Sequence, residues 1–185
     1  MKLPGIVIVV LCAASVLRAD ESGPKAGEKV PALKVFGVMG KVEGKEADFA
    51  ADRKDAPTIY IFVAAEAGGL PVGGRPAFRF MKVLDGEVAK LDGVEIVAVW
   101  LGDKAFDKHK EYIPKFGMSM KPEKTQLAAF DGEKSGPNHW GINGDTHLTV
   151  VIANKGKVVK SFAFTSVNDT DVRPVMTELK KAMGK

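Results

Sequence analysis

The 185-residue chain has a single cysteine, Cys12. It lies within residues 1–19, which have the layout of a removable export signal, so the mature chain holds no thiol. That excludes disulfides, a thiolate nucleophile and thiolate ligation of a metal, and leaves packing alone to stabilise the fold. Long apolar runs are also missing. The longest, Ile6 to Leu17, falls short of the roughly 20 residues a membrane span requires. A strong excess of one charge is absent too. The whole chain carries 27 basic and 23 acidic residues, net +4. Removing residues 1–19 takes away Lys2 and Arg18 and no acid, leaving 25 against 23, or +2. So slight a balance gives no electrostatic footprint for nucleic acid. Internal repeats and low-complexity tracts are likewise missing.

What is present begins with the signal layout: Lys2 as a small positive region, an apolar stretch, and Ala19 before Asp20, with Ala14 as an alternative cleavage point. Leu11 precedes Cys12 where lipoprotein signals resemble one another in carrying a small residue, so Cys12 is read as an apolar residue of the signal. Membrane contact is expected only through this segment. Residues 20–26 are polar and rich in Gly and Pro, which predicts a flexible leader. The domain is expected over 27–185.

Within it, Val30–Val38 reads as a strand, followed by a turn and a short extended piece around Asp48 and Phe49. Thr58–Val63 and Val94–Leu101 are apolar without polar alternation, as in strands buried on both faces. Between them Ala67–Gly74 is a Gly- and Pro-rich loop. A helix follows, with Pro76 in its first turn and Ala77, Phe80, Met81, Leu84, Val88 and Leu91 on one face. A second helix is expected from Asp103 to Phe116, disturbed at its end by Pro114. Gln126–Phe130 reads as a short strand. Leu148–Ile152 and Val158–Phe164 form a hairpin about Asn154-Lys155-Gly156, and a helix with Pro174 in its first turn closes the chain. Strands alternating with helices imply parallel right-handed crossovers. The result is an α/β three-layer sandwich with a mixed central sheet, helices on both faces and an N-terminal β-hairpin extension.

This order resembles the thioredoxin-like fold in its redoxin or peroxiredoxin form. Gly27-Glu28-Lys29-Val30-Pro31-Ala32-Leu33 is similar to the G-x-x-(A/V)-P-x-(F/L) opening of redoxins. Asp55-Ala56-Pro57 resembles their approach to the first core strand. Trp140-Gly141-Ile142-Asn143-Gly144 resembles (Y/W)-G-(V/I)-x-G, and Val151–Val158 resembles L-I-D-x-x-G-K-(V/I). The resemblance implies a reactive cysteine just past the first core strand, where a helix N-terminus would lower its pKa. Here that loop, Glu66–Arg75, contains no cysteine, serine or threonine. The position of the family's cis-proline falls on His147, after Thr146, where a cis bond would cost about 2.5–4 kcal/mol. The chain therefore resembles a degenerate redoxin with no catalytic residue and no cofactor.

Its expected role is that of an exported, periplasmic or secreted binding module whose partner is an envelope protein or peptide. The surface matching the redoxin active-site face comprises Glu66, Gly69, Gly74, Arg75, Thr146 and His147. Alternative readings are a cysteine-independent metal protein or enzyme using His139 and His147, and a purely structural envelope component. No metal site is expected, because these histidines match no closed ligand pattern. Gly69–Pro76 has the glycines of a phosphate loop, but Arg75 and Pro76 stand where its Lys and hydroxyl residue belong. Arg75 with the helix N-terminus suits a modest anion site. Glu66 alone, as a general base, is not a mechanism. His109, between Lys108 and Lys110, reads as part of a solvated helix face.

Overall fold

A computed structural model describes residues 21–185. The expected signal segment, residues 1–19 with Cys12, lies outside the described residues. The chain runs β1 (Lys34–Met39), β2 (Glu46–Asp48), α1 (Phe49–Arg53), β3 (Thr58–Ala64), α2 (Gly74–Ala89), β4 (Glu95–Leu101), α3 (Phe106–Met120), β5 (Thr125–Ala129), β6 (Leu148–Asn154), β7 (Lys157–Phe164) and α4 (Val172–Ala182). The strands form one mixed sheet in the order β2-β1-β5-β4-β3-β6-β7. β3, β4 and β5 are parallel; β6 and β7 continue antiparallel on one side, and β1 and β2 on the other.

The apolar runs work as their composition predicts. Ile59, Ile61 and Val63 face one core with Phe80, Leu84, Ile113, Phe116, Val175 and Leu179. Tyr60 and Phe62 face the other with Phe49, Trp140 and Ile142. Two right-handed crossovers in the same direction, β3 to β4 and β4 to β5, place α2 and α3 on the same face. α4 joins them there. The opposite layer is thinner: α1 and the long loop before β6, with Trp140 as its plug.

Three local expectations change. The extended piece expected around Asp48 and Phe49 is β2, which stops one residue short of Phe49, at Asp48. The Asp48 carboxylate accepts from the amides of Ala50 and Ala51 and starts α1, and it also accepts from Leu33 N. α3 does not stop near Pro114 but runs to Met120. Pro114 is exposed, opposite the buried stripe of His109, Ile113, Phe116 and Met120, so the carbonyl it deprives of a donor lies on the solvent side. The leader is not loose. Ser22 is buried and its Oγ lies 2.5 Å from Thr149 Oγ1, while also accepting from Asn143 N. Gly23 N donates to Gly141 O, and Ser161 Oγ donates to Pro24 O. Gly27 N then bonds Val158 O, Val158 N bonds Glu28 O, and Val30 N bonds Gly156 O, along the outer edge of β7. Polar composition suggested solvent, but these polar groups are spent on the domain itself. Ser22→Ala would strand the Asn143 amide, and we expect a loss of about 1–3 kcal/mol in urea unfolding. A change below about 0.3 kcal/mol would mean that the strap is not energetically coupled to the body.

Candidate functional site

The strand order reverses beside β3, with β4 on one flank and β6 on the other. In open α/β sheets the crevice at the carboxyl end of such a strand is where ligands settle. Here it is bordered by the turn after β3, the N-terminus of α2 and the start of β6.

The glycine-rich loop is a closed turn. Ala65 bridges Pro71 in antiparallel fashion. Glu66 N donates to Leu70 O, Gly69 N to Glu66 O, Val72 N to Ala64 O and Gly74 N to Pro71 O, all at 2.7–2.9 Å. Trp100, buried on β4, fastens the turn from below by donating its Nε1 to Gly69 O at 3.0 Å. Gly69 has φ +87°, and a Cβ there would stand 2.5 Å from Tyr112 Cβ on α3, so only glycine fits. The phosphate-loop reading fails on this geometry. Such a loop needs free amides to cradle an anion, and within Gly69–Pro76 the amides of Gly69, Val72 and Gly74 are committed to main-chain carbonyls.

Gly73 caps α2 in a left-handed conformation, with no side-chain hydrogen bond to the helix end. A Cβ on Gly73 would lie 3.1 Å from His147 Nδ1, so the turn and the start of β6 meet here. His147 is clamped by its main chain: N donates to Phe164 O and O accepts from Ala64 N. Its Nδ1 is buried and has no hydrogen-bond partner. No cis peptide occurs among the described residues, the Thr146–His147 bond included.

The six residues expected on this surface divide by environment. Glu66, Gly74 and Arg75 are exposed, and His147 is half-buried beside Gly73. Gly69 and Thr146 are buried and serve the scaffold. The Gly69 carbonyl is held by Trp100, and the Thr146 hydroxyl donates to Asn143 O at 2.7 Å and lies 3.1 Å from Thr149 Oγ1. His139 is exposed with φ +69°. Among the described residues no three His, Cys, Asp or Glu side chains gather to hold a metal ion. The crevice thus offers one carboxylate, one guanidinium, an imidazole edge and the exposed apolar tip of Leu70. It can bind by charge, hydrogen bonding and contact, and it contains no pair of nucleophile and base.

His109 requires the largest correction. It is fully buried, and neither ring nitrogen has a hydrogen-bond partner. The flanking lysines suggested solvent, yet His109, Ile113, Phe116 and Met120 recur at i, i+4, i+7 and i+11, the spacing of a buried stripe. Trp100 and Tyr112 were not legible as parts of this site, because only the tertiary fold brings them to the turn.

No protein-family profile matches the chain, and no curated protein matches it in sequence. Solved structures do match. A protein assigned as the thiol:disulfide interchange protein DsbE from Chlorobium tepidum aligns at TM-score 0.63 with 20% identity, covering 86% of this chain and 99% of its own. A peroxiredoxin-like protein from Aquifex aeolicus aligns at 0.55 with 18% identity, covering 86% and 90%. The exposed lipoprotein thioredoxin Etrx1 of Streptococcus pneumoniae aligns at 0.56 with 16% identity, covering 82% and 99%. At these identities the likeness establishes the architecture, and the chain has the thioredoxin-like fold, with β1 and β2 as its N-terminal hairpin extension.

Proposed function

We propose that this protein is an exported thioredoxin-fold binding module without thiol redox activity. Its expected ligand is a protein or peptide of the cell envelope, met through Glu66, Leu70, Gly74, Arg75 and the edge of His147. The observation that carries the reading is the turn after β3. It holds no sulfur and no hydroxyl where redoxins resemble one another in carrying their nucleophile, and it is folded shut on its own strand. Without a nucleophile and a base in contact there is no acyl, thiol or peroxide chemistry to assign. The layout of residues 1–19 supports export. A lipoprotein thioredoxin described as exposed shares the architecture, which is compatible with an envelope role.

The test is capture from an envelope extract by the full chain and by a variant in which residues 68–75 are replaced. The expected result is a defined partner lost with the replacement, while far-ultraviolet circular dichroism stays unchanged. An unaltered set of captured proteins would remove this surface from consideration. Insulin reduction and peroxide consumption are expected at background, and turnover in either assay would contradict the reading directly.

A further inference from the structure

The mechanism-free crevice leaves one buried titratable group without a role. His109 lies on α3 in a notch made by Gly102: a Cβ at Gly102 would stand 2.6 Å from His109 Cε1, 3.0 Å from Nε2 and 3.2 Å from Ala65 O. The ring therefore sits against the end of β3, where the 66–72 turn departs. One turn further along α3, Tyr112 packs against Gly69, and a Cβ placed on Gly69 would stand 3.3 Å from Lys108 O. The ring is wholly enclosed and both nitrogens lack partners. Buried polar groups are normally satisfied, and an unsatisfied one in a native fold calls for an explanation.

We infer that His109 is an acid-operated latch: its neutral ring lets the 66–72 turn close against α3, and a proton on that ring opens the turn. The latch matters for function only if the turn belongs to the binding surface proposed above. A neutral imidazole can be enclosed here at modest cost. An imidazolium carries two donors and a full charge, and the notch supplies no acceptor in hydrogen-bonding position.

The charged and titratable groups on the surrounding elements do not supply one either. On the turn, Glu66 is exposed. After β4, Asp103 is exposed and accepts from Lys134 N, and Lys104 is exposed. On α3, Lys110 pairs with Asp107 and lies over Phe106, Lys108 pairs with Glu111, and Tyr112 faces Gly69. Relief therefore comes from admitting water. The turn gives way before the helix does, since α3 is anchored by Ile113, Phe116 and Met120. The turn is fastened to its surroundings by the Trp100 bond and the Gly69–Tyr112 contact.

The electrostatics agree with this geometry. Burial pushes the His109 pKa down, and the Glu66 main chain, which lies towards the ring without reaching hydrogen-bond geometry, opposes it more weakly. The folded state thus holds the proton less tightly than the unfolded chain. Stability is fully present above about pH 6.5, the ordinary histidine value, and is lost as pH falls through the lower folded-state value.

The test is amide hydrogen exchange on the full chain at pH 7.5 and 5.0, corrected for intrinsic rates. Acidification is expected to lower protection of the Glu66, Gly69 and Val72 amides by roughly tenfold per unit of pKa displacement. The β3 amides of Ile59 to Phe62 should keep theirs. In His109→Phe, which fills the notch with an uncharged ring, the turn amides should respond to pH no more than β3 does. An equal acid response in His109→Phe overturns the latch. Should that variant fail to fold, the ring-proton titration of His109 in the parent chain decides the matter. Turn amides that shift with the His109 midpoint support the latch, and a ring that titrates while they stay still overturns it. Neither readout uses a partner, so this failure is distinct from failure of the capture experiment.

Discussion

Trp140→Ala should lower the stability of the protein by about 3–5 kcal/mol, the usual cost of deleting a large aromatic from a core. Trp140 is fully buried and is the main filling of the thinner layer. Its ring meets Tyr60 at 5.1 Å and 64° and Phe62 at 4.8 Å and 55° between centroids and planes. Its Nε1 donates to Ala32 O at 2.9 Å, tying the loop before β6 to the chain entering β1. Trp140→Phe would keep much of the ring contact while stranding that carbonyl, so its cost should be smaller, about 1–3 kcal/mol. Urea unfolding followed by far-ultraviolet circular dichroism separates the two. If both variants lost less than 1 kcal/mol, the loop would be a cover over a core that closes without it.

A comparable loss is expected for Asp85→Ala, for a different reason. Asp85 is a buried carboxylate on α2. It accepts from Glu123 N at 2.9 Å, Lys124 N at 3.0 Å and Thr125 Oγ1 at 2.6 Å, which fixes the turn between α3 and β5. Hydrogen bonds to a charged group contribute about 1.5–3 kcal/mol each, and removing the acceptor strands the donors in a low-dielectric site. A fall of about 3–5 kcal/mol is a large part of the 5–15 kcal/mol by which domains are stable. Asp85→Asn keeps an acceptor oxygen but forces its amide nitrogen against the donors, so it should recover only part of the loss. Full recovery would show that the negative charge is dispensable.

The central sheet was readable in the sequence because its strands are buried on both faces. Thr58–Val63 and Val94–Leu101 match β3 and β4 to within one residue at each end, and the closing hairpin follows from the turn at Lys155-Gly156. What escaped were features set by partners distant in sequence. Asp48 caps a five-residue helix that no periodicity announces. Pro114 is harmless only because it faces outward. Residues 22–24 of the leader are held by Thr149, Gly141 and Ser161, far along the chain. In the site, the meeting of the α2 N-terminus with His147 was expected from the family resemblance alone. The enclosure of His109 was not expected, although the apolar spacing on its helix contained the signal.

The path of residues 24–30 has a bearing on the protein's behaviour at high concentration. An uncovered β margin is a template for pairing with other chains, and folded proteins suppress it by shortening, charging or covering the strand. This sheet does two of these at opposite ends. β2 on one margin is only three residues long, and on the other the strap engages both main-chain groups of Val158 in β7 and the Gly156 carbonyl just before it. Residues 24–30 therefore act as a selvedge that keeps neighbouring molecules from knitting onto the sheet.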